Sequence, residues 1–363
     1  MTGSNGRRIG LLYHGRVKRP RLRAIAGGLA LALALAPAPV PAGSVPDRLD
    51  RFKELAASRL SAAQVGEADA DTFREIYTLL DEEIVESLAS GGVFASPEFL
   101  QERLDGFNDA WGAAFLEILR LHRLVVGAFQ LGDAVAGNTV RVYGRLGDEA
   151  ALLTTFEREG RPRVFTVPSA GPEQFMVAWE GPSTGRGTRP LHLDLVRQQG
   201  DNVRVVWSTA DVFPDGLVAR SYAVRPGEIR VRYELRYPGW TPGCEGQTEQ
   251  EDVYRLASGA AGFVRVSRRD LEPWHRDLRL SVARLFAALA AGDRAALASL
   301  VPNAALRDRL PSSLAPEPAC DARDERAGAV SVAAVAAAQR PWTLRWQREG
   351  GGWRLTDAMP VLP

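Results

Sequence analysis

Ile229-Arg-Val-Arg-Tyr-Glu-Leu-Arg-Tyr237 runs directly into Pro238-Gly-Trp-Thr-Pro-Gly-Cys244-Glu-Gly-Gln-Thr-Glu-Gln-Glu-Asp252. In the first half, Ile229, Val231, Tyr233, Leu235 and Tyr237 alternate with Arg230, Arg232, Glu234 and Arg236, the two-residue period of a strand with one dry and one wet face. The second half breaks that period with two prolines and three glycines and then gathers Cys244 and four carboxylates. A long strand is therefore expected to deliver a rigid polar loop to the end of a sheet.

Outward from this stretch, short apolar runs recur between Gly, Asp, Asn and Pro. They include Leu124–Leu131, Thr139–Tyr143, Leu152–Phe156, Val164–Val167, Phe175–Trp179, Leu191–Val196, Val203–Trp207, Leu217–Val224, Val253–Leu256 and Phe263–Val266. Arg225-Pro226-Gly227-Glu228 reads as a tight turn, because proline presets its first corner and glycine accepts positive φ at the second. Strands follow strands with no helix between them, which excludes a doubly wound parallel sheet and points to an antiparallel sandwich or open barrel.

The flanks change period. Phe73, Ile76, Tyr77, Leu80, Ile84 and Leu88 mark one helical face ended by Gly91-Gly92, and Leu49, Phe52, Leu55 and Ala56 suggest a helix before it. Ser96-Pro97 then starts a further helix with a capping hydroxyl and a proline in its first turn. Pro273 opens a C-terminal section in which Leu278, Val282, Leu285, Phe286 and Leu289 share a face, and Ala295–Leu300 begins a second short helix. The Pro-, Ala- and charge-rich Pro311–Arg326 reads as a loop, and Trp342–Trp346 with Trp353–Thr356 as a closing hairpin. The fold expected is α+β and mostly β. It comprises a helical section over 43–115, an antiparallel β domain over 116–271 and a small α+β unit over 272–363.

Residues 1–42 read as a secretory signal. Seven basic side chains and no acid precede an apolar run, Ala24–Ala36, that is too short to span a bilayer, and cleavage is expected after Ala42. The whole chain carries a formal charge of +1, but without this stretch 38 basic residues face 44 acidic ones, a net of −6. A mildly acidic protein with no later basic run is a poor match to nucleic acid. The localisation expected is periplasmic or extracellular, with no transmembrane anchor. In that compartment the two cysteines, Cys244 and Cys320, are expected to pair.

Phe286-Ala-Ala-Leu-Ala-Ala-Gly-Asp293-Arg-Ala-Ala-Leu297, together with Gly351-Gly-Trp353-Arg-Leu355, resembles the opening helices and terminal strand pair of the SnoaL-like cone fold, the superfamily that includes nuclear transport factor two. The resemblance covers about Leu280–Pro363. No histidine follows His275, so the aspartate–histidine pair of its enzymes has no counterpart, and the resemblance implies a support or binding module.

The candidate ligand-binding residues are Trp240, an aromatic set in a loop, with the acids Asp211, Asp215, Glu245, Glu249, Glu251 and Asp252. Hard cations want several oxygen ligands at flexible spacing, so calcium is the one cofactor these acids suggest. His122, His192 and His275 show no metal-ligand spacing, and His192 and Asp194 share what reads as the wet face of one strand. Lys53 alone remains for lysine chemistry. Gly181-Pro-Ser183-Thr-Gly185 fits a nucleophile elbow with His275 as partner, but another strand, not a helix, follows it. The reading is a non-catalytic binding or scaffold protein of a bacterial-type cell envelope, its partner a small molecule, a glycan or an envelope protein. The competing reading is a hydrolase, either serine-based or carboxylate-based.

Overall fold

The computed structural model describes residues 47–62, 70–112, 114–167, 173–257, 262–323 and 328–361; the signal expected over 1–42 lies outside them. Helix α1 (Arg48–Ala62), α2 (Ala70–Ser90) and α3 (Pro97–Trp111) form where the apolar spacing placed them. Ser96 Oγ accepts from Phe99 N at 3.2 Å to cap α3, and Gly91, at φ 67°, ends α2. Their dry faces bury Phe52, Ile76, Leu80, Ile84, Leu104 and Phe107, each contributing about 2 kcal/mol by leaving water.

These helices cover one face of a four-stranded antiparallel sheet made of β1 (Phe115–Leu121), β2 (Leu124–Gln130), β3 (Asn138–Leu146) and β4 (Glu149–Glu157). Leu116, Ile118, Val125, Phe129 and Tyr143 supply the sheet's side of that core. Asp81 of α2 pins the layer, accepting from Arg141 Nε at 2.7 Å and from Tyr143 Oη at 2.8 Å.

A second sheet comprises β5 (Arg161–Thr166), β6 (Gln174–Glu180), β7 (Arg189–Gln199), β8 (Asn202–Ser208), β9 (Val218–Arg225), β10 (Glu228–Glu234), β11 (Glu249–Leu256) and β12 (Phe263–Leu271). It runs in the order β12-β11-β10-β9-β7-β6-β5, with β8 on β7, and every pair is antiparallel. Alternate residues of β6 serve two cores. Phe175, Val177 and Trp179 pack on Val126, Val140 and Val142 of the first sheet, and Met176 and Ala178 turn to the opposite side, toward Ile229, Val231 and Tyr254. The sheet curls over this second core, so that Phe165 of β5 meets Tyr222 of β9 edge-on at 6.2 Å and Trp207 of β8 lies 5.4 Å from Phe263 of β12. The result is a sandwich along one half and an open roll along the other, with no closed barrel among the described residues.

The C-terminal section contributes α4 (Pro273–Ala291), α5 (Arg294–Leu300), α6 (Ala304–Arg309), β13 (Ala315–Pro316), β14 (Ala322–Arg323), β15 (Ala329–Ala336), β16 (Arg340–Glu349) and β17 (Gly352–Pro360). Its interior is filled by Leu278 and Leu285 of α4 against Val332, Leu344, Trp346 and Leu355.

Four expectations are corrected. The strand read as Ile229–Tyr237 stops at Glu234, because Pro238 and the glycine turns after it pull Leu235 and Tyr237 out of the ladder. Glu249, Glu251 and Asp252 are not loop acids: β11 begins at Glu249, and its interior polar residues, Gln250 and Asp252, disguise the period. The His192–Asp194 face is not wet, since Asp194 is buried and accepts from Trp179 Nε1 at 3.2 Å and Arg158 Nε at 2.9 Å. The described part of Pro311–Arg326, residues 311–323, holds β13, β14 and a buried carboxylate, Asp321, in place of a plain loop, and the rest of that stretch lies outside the described residues.

Candidate functional site

The chain leaves β10 and turns at Gly239, Gly243 and Gly246, all at positive φ. At Gly239 the reason is also steric, since a Cβ there would lie 2.8 Å from Arg279 Cδ. Gln247 staples the loop from inside: its Oε1 accepts from Thr241 N at 2.8 Å, and its Nε2 donates to Thr241 O at 2.7 Å and Cys244 O at 3.1 Å. Cys244 is bonded to Cys320, as expected, with Cα atoms 5.2 Å apart.

Behind this loop lies a buried polar chain. Tyr237 Oη accepts from Thr248 N at 3.1 Å and bonds His275 Nδ1. The neutral ring is assigned its proton on Nε2, the nitrogen that faces the Asp321 carboxylate, and with that tautomer the phenol donates to Nδ1. Nε2 lies 2.9 Å from Asp321 Oδ2, and Asp321 Oδ1 lies 2.8 Å from Arg279 Nη2. Burial, first of its causes, raises the Tyr237 phenol above its ordinary value. Thr248 Oγ1 completes the junction, donating to Glu272 O at 2.8 Å and accepting from Arg276 N at 3.1 Å.

In front lies an open cleft of about 500 Å³, bordered by Arg220, Arg232, Glu249, Glu272, Trp274 and Arg323. Glu249 takes Arg220 Nε at 3.0 Å on one oxygen and Arg232 Nε on the other. Glu272 accepts from Trp274 Nε1 at 2.6 Å and from Arg323, whose guanidinium stands 4.5 Å from the Trp274 ring centre. The Trp274 bond, against partial burial and with Arg323 in support, holds the Glu272 carboxyl below the ordinary carboxylate range.

The predicted residues divide. Glu245 and Glu249 border the cleft. Glu251 pairs with Arg269 at 3.3 Å. Asp252 faces the other way, fully buried, accepting from Arg268 Nε at 2.9 Å, Arg268 Nη2 at 2.8 Å, Tyr254 Oη at 3.0 Å and Tyr233 Oη at 3.2 Å. Asp211 and Asp215 are exposed on a turn after β8 and do not border the cleft, and Trp240 is half-buried beside Arg236. The cleft's aromatic is instead Trp274, whose one sequence signal was its place after Pro273 at a helix start. Among the described residues no three His, Cys, Asp or Glu side chains converge to hold a metal ion; arginines occupy the space between the acids.

Nor is a serine relay assembled. Ser183 Oγ donates to Thr184 O at 3.3 Å, and both nitrogens of His275 are engaged. His192 meets Asp194 Oδ1 at 2.8 Å and Ser208 Oγ at 3.0 Å through the same nitrogen, Nε2, whereas a relay needs the acid and the hydroxyl on opposite nitrogens.

The buried acids set a pH dependence. Burial opposes ionisation of Asp252 and Asp194. Arg268, Tyr254 and Tyr233 in one case, and His192, Arg158 and Ser208 in the other, outweigh it and hold both below their ordinary value. A carboxylate with a depressed folded pKa contributes stability that is present above its unfolded value, about 4, and lost as pH falls through the folded one. Urea midpoints should accordingly stay level down to about pH 5 and drop steadily below about pH 4. A midpoint that rose on acidification would contradict this assignment.

Compared with protein-family models and with curated proteins, the sequence matches none.

Proposed function

We propose that this chain is an exported, non-catalytic binding component of a bacterial-type cell envelope, and that the cleft beside the Cys244–Cys320 bond is its ligand site. One observation carries the reading: the cleft offers polar groups of both signs and an indole, yet three acid–base groups at or behind it, Glu249, Glu272 and His275, are already held by their neighbours. Glu272 is held ionised, which disfavours it as a proton donor. Glu249 is clamped between two arginines, and His275, at 2% exposed, is bonded to Tyr237 at Nδ1 and faces the Asp321 carboxylate at Nε2, 2.9 Å away. Export is supported by the basic and apolar order of residues 1–42 and by a disulfide that uses both cysteines of the chain. The C-terminal section, with its cone-fold resemblance, serves in this reading as the support that presents Glu272, Trp274 and Arg323 to the cleft.

A thermal-shift screen of the oxidised protein with oligosaccharides and small carboxylates tests this, run beside chromogenic ester and glycoside assays. A ligand at about a hundred times its Kd should stabilise by about 2.7 kcal/mol, a shift of several degrees, with no turnover. Turnover that vanished in Ser183→Ala or Glu249→Gln would replace binding with hydrolysis.

A further inference from the structure

In the four- and eight-stranded sheets, three faces are covered by apolar packing. The outward face of β9–β12 is not. By the strand register it carries Arg225, Arg230, Arg232, Arg255 and Arg269, and Arg220, at the β9 bulge, joins them through its bond to Glu249. Four acids share it, Glu228, Glu234, Glu249 and Glu251, so six arginines against four glutamates leave two positive charges. The two signs also differ in height. The side chains of Glu249, Glu251 and Glu228 are only 12%, 18% and 21% exposed, whereas Arg220, Arg232, Arg230, Arg255 and Arg269 range from 38% to 65%. Glu249 sits under Arg220 and Arg232, and Glu228 under Arg230 and Arg255. An approaching ligand therefore meets guanidinium groups first, repeated from strand to strand at about 5 Å. The face ends at Arg220, Arg232 and Glu249, which are the wall of the cleft.

We propose that this face, as an extension of the binding reading above, tracks a carboxylate-bearing polysaccharide of the polyuronate class and feeds one end of it to Trp274. Guanidinium forks match carboxylates in pairs, and an indole beside polar groups suits the faces of a sugar ring. A protein partner would need a large apolar anchor, and a membrane would need side chains to insert. The well-exposed apolar side chains here are Val264 and Val266, at the β12 edge.

The test immobilises the oxidised, processed protein and compares polygalacturonate with dextran of equal length, polyglutamate and phosphatidylglycerol vesicles. Polygalacturonate should bind best and weaken steeply between about 50 mM and about 500 mM salt. Arg230→Gln with Arg255→Gln should weaken it at least about tenfold, and Arg225→Gln with Arg269→Gln should do likewise. These positions are exposed, so far-UV circular dichroism and the melting temperature should stay unchanged. Dextran binding equally well, polyglutamate or vesicles binding better, or unaltered affinity in both double variants overturns the proposal. A protein stabilised by a neutral oligosaccharide but blind to polygalacturonate keeps the cleft and loses this inference; one that responds to neither loses both.

Discussion

Asp321→Asn should lower the stability of this protein by about 3–5 kcal/mol, the cost of breaking a buried ion pair from one side. Asp321 is the sole acid shown against two buried basic groups, Arg279 at 5% and His275 at 2% exposed. Its loss leaves a guanidinium in the interior with the Ala319 carbonyl, 3.1 Å from Nη2, as its remaining partner. The amide keeps a single acceptor oxygen and puts an NH2 in place of the other, so either the His275 or the Arg279 side faces a donor. Urea unfolding of the oxidised protein measures the loss. Adding Arg279→Met to Asp321→Asn should recover part of it, because the uncompensated charge is the expensive element and not the missing contact. A loss below about 1 kcal/mol would mean that water reaches this cluster and screens it.

The architecture was legible wherever one face of an element is apolar. Ile229, Val231 and Tyr233 line the inner core as their spacing required, and Pro226-Gly227 makes the turn between β9 and β10 with Gly227 at φ 71°. It became illegible where polar residues point inward. Asp252 and Gln250 occupy inward positions of β11, so Glu249–Asp252 read as a cluster of loop acids when it is a strand that divides them between two faces. Ala329–Ala336 was missed for another reason: alanine favours strands little, and pairing with β14 on one side and β16 on the other overrides that preference. The site depended on a juxtaposition that no local pattern carries. His275 opens α4, Asp321 sits in a segment rich in proline and alanine, and 46 positions separate them in the sequence. The nearest sequence signal was the disulfide, because Cys320 adjoins Asp321 and Cys244 adjoins Glu245.

That adjacency makes the bond's removal the second large effect. Replacing Cys244 and Cys320 with alanine opens a closure of 76 residues, which the chain-entropy model values at about 4 kcal/mol. For a domain of this size the melting temperature should fall by about 10 °C. Dithiothreitol should reproduce the fall in the native protein, since Cys320 is exposed, and should do nothing to the double variant. The bond and the Asp321 cluster hold the same stretch: Cys320 ties it to the β10–β11 loop, while Asp321, one residue on, ties it to α4. Once either is gone the segment is already loosened, and the second loss removes less than it would alone. The triple variant should therefore lose clearly less than the sum of the two, with a coupling of about 1–3 kcal/mol. Strict additivity would mean that the two ties act independently, and that the cleft wall behind Trp274 is held by α4 alone.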